Sequence, residues 1–204
     1  MKTKPFLLCL TGYTGVGKTT VKNTFANYPD VKTFYTKDLH KIILGEQASS
    51  VDKMDVSLQF DDKLGFIKKV MECVDRYRED AKIIVLDSIR STDELEYLRT
   101  LGQYSGVKLV HVSCDEHLRL KRLQKRDNCN LEVIEKRDKR DTGKDNTGLF
   151  NMEDLFDRSD YTINTSNSLA SINKQVYFIL QSLPKQVNEH TRSIKRPNKE
   201  KQNG

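Results

Sequence analysis

Gly12-Tyr13-Thr14-Gly15-Val16-Gly17-Lys18-Thr19, directly behind the apolar run Phe6-Leu7-Leu8-Cys9-Leu10, fits the pattern G-x-x-x-x-G-K-[ST]. Glycines let the backbone bend so that successive N–H groups point inward around a phosphate chain. Lys18 adds a mobile positive charge near the β- and γ-phosphates, and Thr19 offers a hydroxyl to Mg²⁺. Residues 19–26 read as a helix whose positive N-terminal end faces the same anion. At average residue usage, four fixed positions would match by chance in roughly one chain in a hundred or fewer. The strand in front and the helix behind also meet the structural context the pattern requires. Gly12, Thr14, Gly15, Val16, Gly17, Lys18, Thr19 and Thr20 are therefore the candidate nucleotide-binding residues.

The 204 residues suffice for one sizeable α/β domain, expected over residues 1–184. No stretch approaches the ~18 apolar residues that cross a bilayer, and the first apolar run is too short for a signal peptide. A cytoplasmic protein with no membrane partner is expected. Cys9, Cys73, Cys114 and Cys129 lie far apart with no C-x-x-C pair, which points to reduced thiols, with Cys9 and Cys114 on strands. His40, His111, His117 and His190 have no metal-like spacing and read as solvated or satisfied side chains.

The formal charge of +6 is unevenly spread: residues 185–204 hold six basic and two acidic side chains, leaving only +2 on the other 184. This tail is too polar to bury a core and is expected to be disordered. A nucleic acid would be met only through it.

Strand-length apolar runs at 6–10, 31–36, 82–87, 107–113 and 160–164 alternate with helical patterns, the signature of crossover units on a parallel sheet. Leu64, Ile67, Val70, Met71 and Val74 recur at helical spacing, as do Leu95, Leu98 and Leu101. Ser168 stands as the N-cap of a last helix carrying Leu169, Ile172, Val176, Ile179, Leu180 and Leu183 on one side. Two stretches interrupt the alternation: 45–62, an excursion suited to holding an acceptor, and 128–151, a charged segment suited to a lid.

Ile83-Ile84-Val85-Leu86-Asp87 has the form of a Walker B strand, with Asp87 placed to hold Mg²⁺ together with Thr19. Arg119, Arg122 and Arg126 lie at i, i+3 and i+7 on one helical face, and Arg137 and Arg140 form another i, i+3 pair. Planar guanidinium groups can meet the equatorial oxygens of a transferring phosphoryl group at two points. Arg119 reads instead as part of a solvated basic helix, interleaved with Glu132, Glu135, Asp138 and Asp141.

Val85-x-Asp87-x-x-Arg90 followed by Glu94, then Gly106-Val107 and an apolar strand, resembles the archaeal predicted nucleotide kinases and the phage deoxynucleotide monophosphate kinases. Arg122-Leu123, Arg126-Asp127, Glu135, Arg137-Asp138, Arg140 and the closing Ser159-Asp160-Tyr161-Thr162-Ile163-Asn164 resemble the lid and final strand of dephospho-coenzyme A kinases. The chain departs from those kinases at Ser88-Ile89-Arg90, where they usually carry an apolar, proline-containing run.

The resemblance implies a three-layer P-loop NTPase fold: a parallel five-stranded sheet of order 2-3-1-4-5, helices on both faces and a small lid. It implies phosphoryl transfer from ATP, with Mg²⁺, to a small phosphorylated or nucleoside-like acceptor. A nucleoside or deoxynucleoside monophosphate leads and dephospho-coenzyme A follows. The rival expectation is a nucleotide-binding switch or nucleic-acid-associated NTPase without acceptor transfer. In the resembled kinases the lid arginines, here Arg126, Arg137 and Arg140, stabilise the transferring group. Arg90 would orient the acceptor, Arg122 would contact the nucleotide, and Asp38, just after the second strand, would contact or deprotonate the acceptor hydroxyl. The alternative for Asp38 is to cap a helix over 39–44.

Overall fold

The computed structural model describes residues 4–44, 60, 62–128, 130–145 and 150–184. In chain order these form β1 (Phe6–Thr11), α1 (Lys18–Ala26), β2 (Val31–Tyr35), α2 (Thr36–Leu44), α3 (Gly65–Tyr77), β3 (Ile83–Asp87) and α4 (Thr92–Thr100). There follow β4 (Gly106–Ser113), α5 (Glu116–Asp127), α6 (Leu131–Asp141), α7 (Met152–Asp157), β5 (Tyr161–Asn164) and α8 (Leu169–Ser182).

The five strands pair in parallel in the order β2-β3-β1-β4-β5, the order expected. β1 and β3 are buried along their whole lengths, because a central parallel strand must present apolar side chains to both covered faces. On one face Leu7, Cys9, Ile84, Leu86 and Leu109 pack with α3, α4 and Leu155 of α7. On the other, Leu8, Leu10, Ile83, Val85, Val110 and Val112 meet Val21 and Phe25 of α1 and Ile172, Val176, Ile179 and Leu180 of α8. Three layers result. Register places Leu10 of β1 beside Asp87 of β3, which in turn lies beside Tyr35 of β2, so the loop after β1 and these strand ends share the carboxyl edge of the sheet.

Local capping explains where the helices start. Ser168 accepts from the Ser171 N–H, Asp115 from Leu118 and Asn130 from Val133, each satisfying an amide that the first turn leaves open. Within the stretch read as a lid excursion Asn130 starts α6, with Lys139 and Arg140 in its last turn.

Three details differ from the sequence reading. Helix α2 begins at Thr36, directly off β2, so Asp38 sits exposed in its first turn, where a carboxylate favours the helix dipole, and does not cap it. Cys114 falls one residue beyond β4. The short helix α7 has no counterpart among the sequence patterns, since six residues are too few to display a period. Nearly all of 45–62 and the whole of the 185–204 tail lie outside the described residues. Among the described residues no helix is long and apolar enough to cross a membrane.

Candidate active site

The loop between β1 and α1 depends on backbone room that only glycine leaves. A Cβ on Gly12, at φ 137°, would stand 2.2 Å from the Val112 carbonyl oxygen of β4. Gly17, at φ 99°, is the N-cap of α1, and a Cβ there would press on Thr165 at 3.1 Å. Thr165 in turn donates its hydroxyl to the Val16 carbonyl. Arg122 donates from Nη1 to Thr165 Oγ1 at 3.1 Å and from Nη2 to the Thr165 carbonyl at 2.9 Å. The segment after β5 is thereby fastened to the loop, and Arg122 is the fastener.

Lys18 donates from Nζ to the carbonyls of Gly12 at 2.6 Å and Tyr13 at 3.0 Å, folding its ammonium back over the loop. Burial lowers its pKa from the ordinary lysine value; the nearby charges of Asp87 and Asp141 oppose that shift, while Arg90 and Arg126 add to it. These four side chains come from β3, α6, the β3–α4 loop and α5. Thr19 and Thr20 are exposed in the first turn of α1.

Asp87 is buried at the end of β3. Its carboxylate and the Thr19 hydroxyl are hard oxygen donors of the kind Mg²⁺ takes. Among the described residues no three His, Cys, Asp or Glu side chains gather as a metal cage.

Three residues beyond Asp87, the Arg90 N–H donates to Glu94 Oε2 at 2.8 Å while the Glu94 N–H donates to Ser91 Oγ at 3.1 Å. This Ser-x-x-Glu cap starts α4 and fixes the loop that presents Arg90. The Arg90 guanidinium donates from Nη1 to Asp141 Oδ1 at 3.2 Å and lies 5.4 Å from the centre of the Phe150 ring. Asp38 acts electrostatically on Tyr35, as do Asp87, Arg126 and Arg90, and after burial these charges decide how far that phenol's pKa is raised. Asp38 therefore stands at the same edge, beyond β2.

The arginines expected to line a lid divide. Arg126 grips Asp127 with two donors at 2.6 and 2.9 Å, and Arg137 donates to the same carboxylate at 2.7 Å. These two arginines hold Asp127 well below the usual carboxylate range, against the burial that would raise it. Arg140 brings Nε to 3.8 Å from Asp141. Arg119 is not solvated, contrary to expectation: it is only 3% exposed, forks onto Glu116 and Asp138, donates to the Thr14 carbonyl at 3.2 Å and lies 5.1 Å from the Tyr13 ring centre. The buried guanidinium is matched by two carboxylates, the condition under which a charge can be taken out of water.

Residues that sequence reasoning passed over are the ones facing these arginines. Asp141 and Phe150 enclose Arg90, Thr165 receives Arg122, and Tyr13 packs edge-on against Phe156 at 5.4 Å while donating to Glu153 at 2.9 Å. His111 stacks flat on Phe156, with ring centres 4.0 Å apart. The Ser91-x-x-Glu94 cap was legible as a pattern, as was Glu116 at i,i+3 spacing from Arg119; Asp141 and Asp138 lie 51 and 19 positions from Arg90 and Arg119 and carried no local signal.

A family model described as AAA domain matches residues 8–143, about two thirds of the chain. No curated protein matches the chain in sequence. Among solved structures, a gluconokinase from Sinorhizobium meliloti 1021 is similar at TM-score 0.58 and 14% identity, covering 95% of this chain and 100% of its own. A shikimate kinase from Bacteroides thetaiotaomicron is similar at TM-score 0.55 and 14% identity, covering 87% and 96%. A dephospho-CoA kinase from Campylobacter jejuni is similar at TM-score 0.51 and 15% identity, covering 90% and 100%. At such identities the likeness is one of fold.

Proposed function

The chain belongs to the AAA domain family, and we propose that within it this protein transfers the γ-phosphoryl group of ATP to a small acceptor, a nucleoside or deoxynucleoside monophosphate. One observation carries the reading: Arg90, three residues beyond Asp87, is held at the carboxyl edge by the bond of its N–H to Glu94 and of its guanidinium to Asp141 of α6. A loop that only grips phosphate needs no second cation beyond the γ position, whereas a transferase needs one to hold the incoming nucleophile in line. Arg90, fixed by its Glu94 cap, meets that need. The names of the three structural neighbours, all kinases of small molecules, support the coarser part of the reading, phosphoryl transfer to a small acceptor.

In this mechanism the loop amides from Gly12 to Thr20 and Lys18 hold the triphosphate, and Arg90 orients the acceptor's phosphate. Asp38 contacts the acceptor, and Arg126, Arg137 and Arg140 meet charge that develops on the equatorial oxygens. Thr19 and Asp87 would hold Mg²⁺, which when bound neutralises charge on the β- and γ-phosphates. Arg122 acts through Thr165, keeping the segment after β5 against the loop.

The test follows labelled γ-phosphate from ATP into the ribo- and deoxynucleoside monophosphates, dephospho-coenzyme A, gluconate, shikimate and water. Label in a nucleoside diphosphate is the expected result. Label in water alone, stimulated by nucleic acid, would replace the kinase with an NTPase. Asp87→Asn should lose turnover and regain part of it at high Mg²⁺, and turnover independent of Mg²⁺ would remove Asp87 and Thr19 from the site.

A further inference from the structure

Asp141 is a carboxylate only 2% exposed, at the last residue of the lid helix α6, within reach of two arginines with different duties. Arg90 Nη1 donates to its Oδ1 at 3.2 Å, and Arg140 Nε approaches the same oxygen at 3.8 Å. The chain then reverses at Gly143, whose φ of 74° and close approach to the Phe150 carbonyl, 2.3 Å from where a Cβ would stand, admit no side chain. On its return Phe150 covers the Arg90 guanidinium, and the Asn151 N–H donates to the Arg90 carbonyl at 3.1 Å. Asn151 also accepts from the Thr92 N–H at 2.8 Å and donates to the Thr92 hydroxyl at 2.9 Å. Both the outgoing and the returning legs of the lid are therefore stitched to the loop that presents Arg90.

We propose that Asp141 is a positioning residue, its carboxylate clasping Arg90 to the lid helix so that the acceptor-side guanidinium and the lid arginine Arg140 engage an acceptor phosphate as one unit. The proposal rests on the reading above that Arg90 meets the acceptor's phosphate. Its physical basis is that a guanidinium in a half-dry site takes its direction from the carboxylate it forks or leans on. Neutralising Asp141 leaves Arg90 under Phe150 without that guide, and the coupling between acceptor side and lid is lost. The opposite role, a carboxylate that occupies the anion site and competes with the acceptor, predicts the opposite sign in the same measurement.

Adenosine 5′-pentaphosphate tests this without knowledge of the acceptor, because it carries the adenosine and triphosphate of ATP plus two phosphates that run past the γ position toward Arg90. Its affinity relative to ATP is measured for the full-length wild-type protein, Asp141→Asn, Arg90→Gln and the double variant. Wild type should prefer the pentaphosphate; Asp141→Asn should cut that preference about ten-fold without weakening ATP, since it removes a negative charge from beside Lys18. Arg90→Gln should cut it similarly, and the double variant no further, the non-additivity expected of groups acting together. A preference kept or increased in Asp141→Asn overturns the positioning role. If Arg90→Gln itself leaves the preference intact, the placement of Arg90 on the acceptor side fails instead. Should Asp141→Asn not fold, hydrogen exchange in the wild type decides: the Asn151 amide should be slowed by the pentaphosphate and not by ATP, and equal exchange with both overturns the proposal.

Discussion

Arg119 forks onto Asp138, donating from Nη2 to Oδ2 at 2.6 Å and from Nη1 to Oδ1 at 3.1 Å, and so joins α5 to α6. Because Nη1 also donates to the Thr14 carbonyl, the same side chain ties both helices to the loop after β1. Arg119→Ala removes the charge and leaves Asp138 partly buried without it, which should cost about 1–3 kcal/mol. In a chain of this size that is a fall in thermal midpoint of roughly 3–10 °C. Arg119→Lys should recover only part of it, since one ammonium cannot serve two carboxylates and a carbonyl in a fixed plane. An unchanged midpoint in Arg119→Ala would show that the fork adds nothing to stability.

Lys18 poses the contrary case. Its ammonium donates to two loop carbonyls, yet burial weakens its charged form, so the two effects oppose each other in the folded chain without ligand. Lys18→Ala should leave the thermal midpoint without nucleotide close to wild type while ATP turnover collapses. Turnover close to wild type in this variant would take the phosphate loop out of the mechanism.

His111 supplies a pH dependence with a definite sign. Burial, with Lys18 nearby, lowers its pKa below the ordinary value of about 6.5. As pH falls below that value the unfolded chain takes up a proton before the folded one does, so the unfolded state binds more protons and stability drops with pH. The contribution is complete above about 6.5 and is lost through the window beneath it, down to the depressed folded value. His111→Phe, which keeps a ring against Phe156 and cannot titrate, should flatten the urea-unfolding profile between about pH 7 and 5. The carboxylates of Glu116 and Glu153, both lowered by their hydrogen bonds to Arg119 and to Lys144 and Tyr13, titrate below 4.5 and leave this window clear. A wild-type profile no steeper than that of His111→Phe would refute the assignment.

The parts of the molecule legible in sequence are those whose physics is local. A loop that needs left-handed backbone at Gly15 and Gly17 must spell it in glycine, and strands covered on both faces must be apolar at every position. Charged side chains are different. Arg119, Arg122 and Arg126 share a helical face, but one is buried in a carboxylate fork, one fastens Thr165 and one is mostly exposed beside Asp127. Spacing along a helix reports which side chains neighbour one another, not what crosses from another element to meet them. Asp38 shows the same limit at a strand end, where whether the chain runs straight into a helix decides between a cap and a first-turn carboxylate.

The last prediction turns on Asp127, which receives both Arg126 and Arg137. Arg126 reaches this carboxylate from α5 and also acts electrostatically on Lys18, whereas Arg137 reaches it from α6. If Arg137 meets charge only as the phosphoryl group leaves ATP, Arg137→Ala should depress kcat while the affinity for a fluorescent ATP analogue stays near wild type. A charge-assisted contact is worth roughly 1.5–3 kcal/mol, so the fall should be about ten- to a hundred-fold. Arg126→Ala should differ by also weakening the analogue, because it removes a cation from beside the donor phosphates. Matching losses of analogue affinity in both variants would place Arg137 on the donor or in the framework of the lid, and the transition-state role would then rest on Arg126 and Arg140 alone.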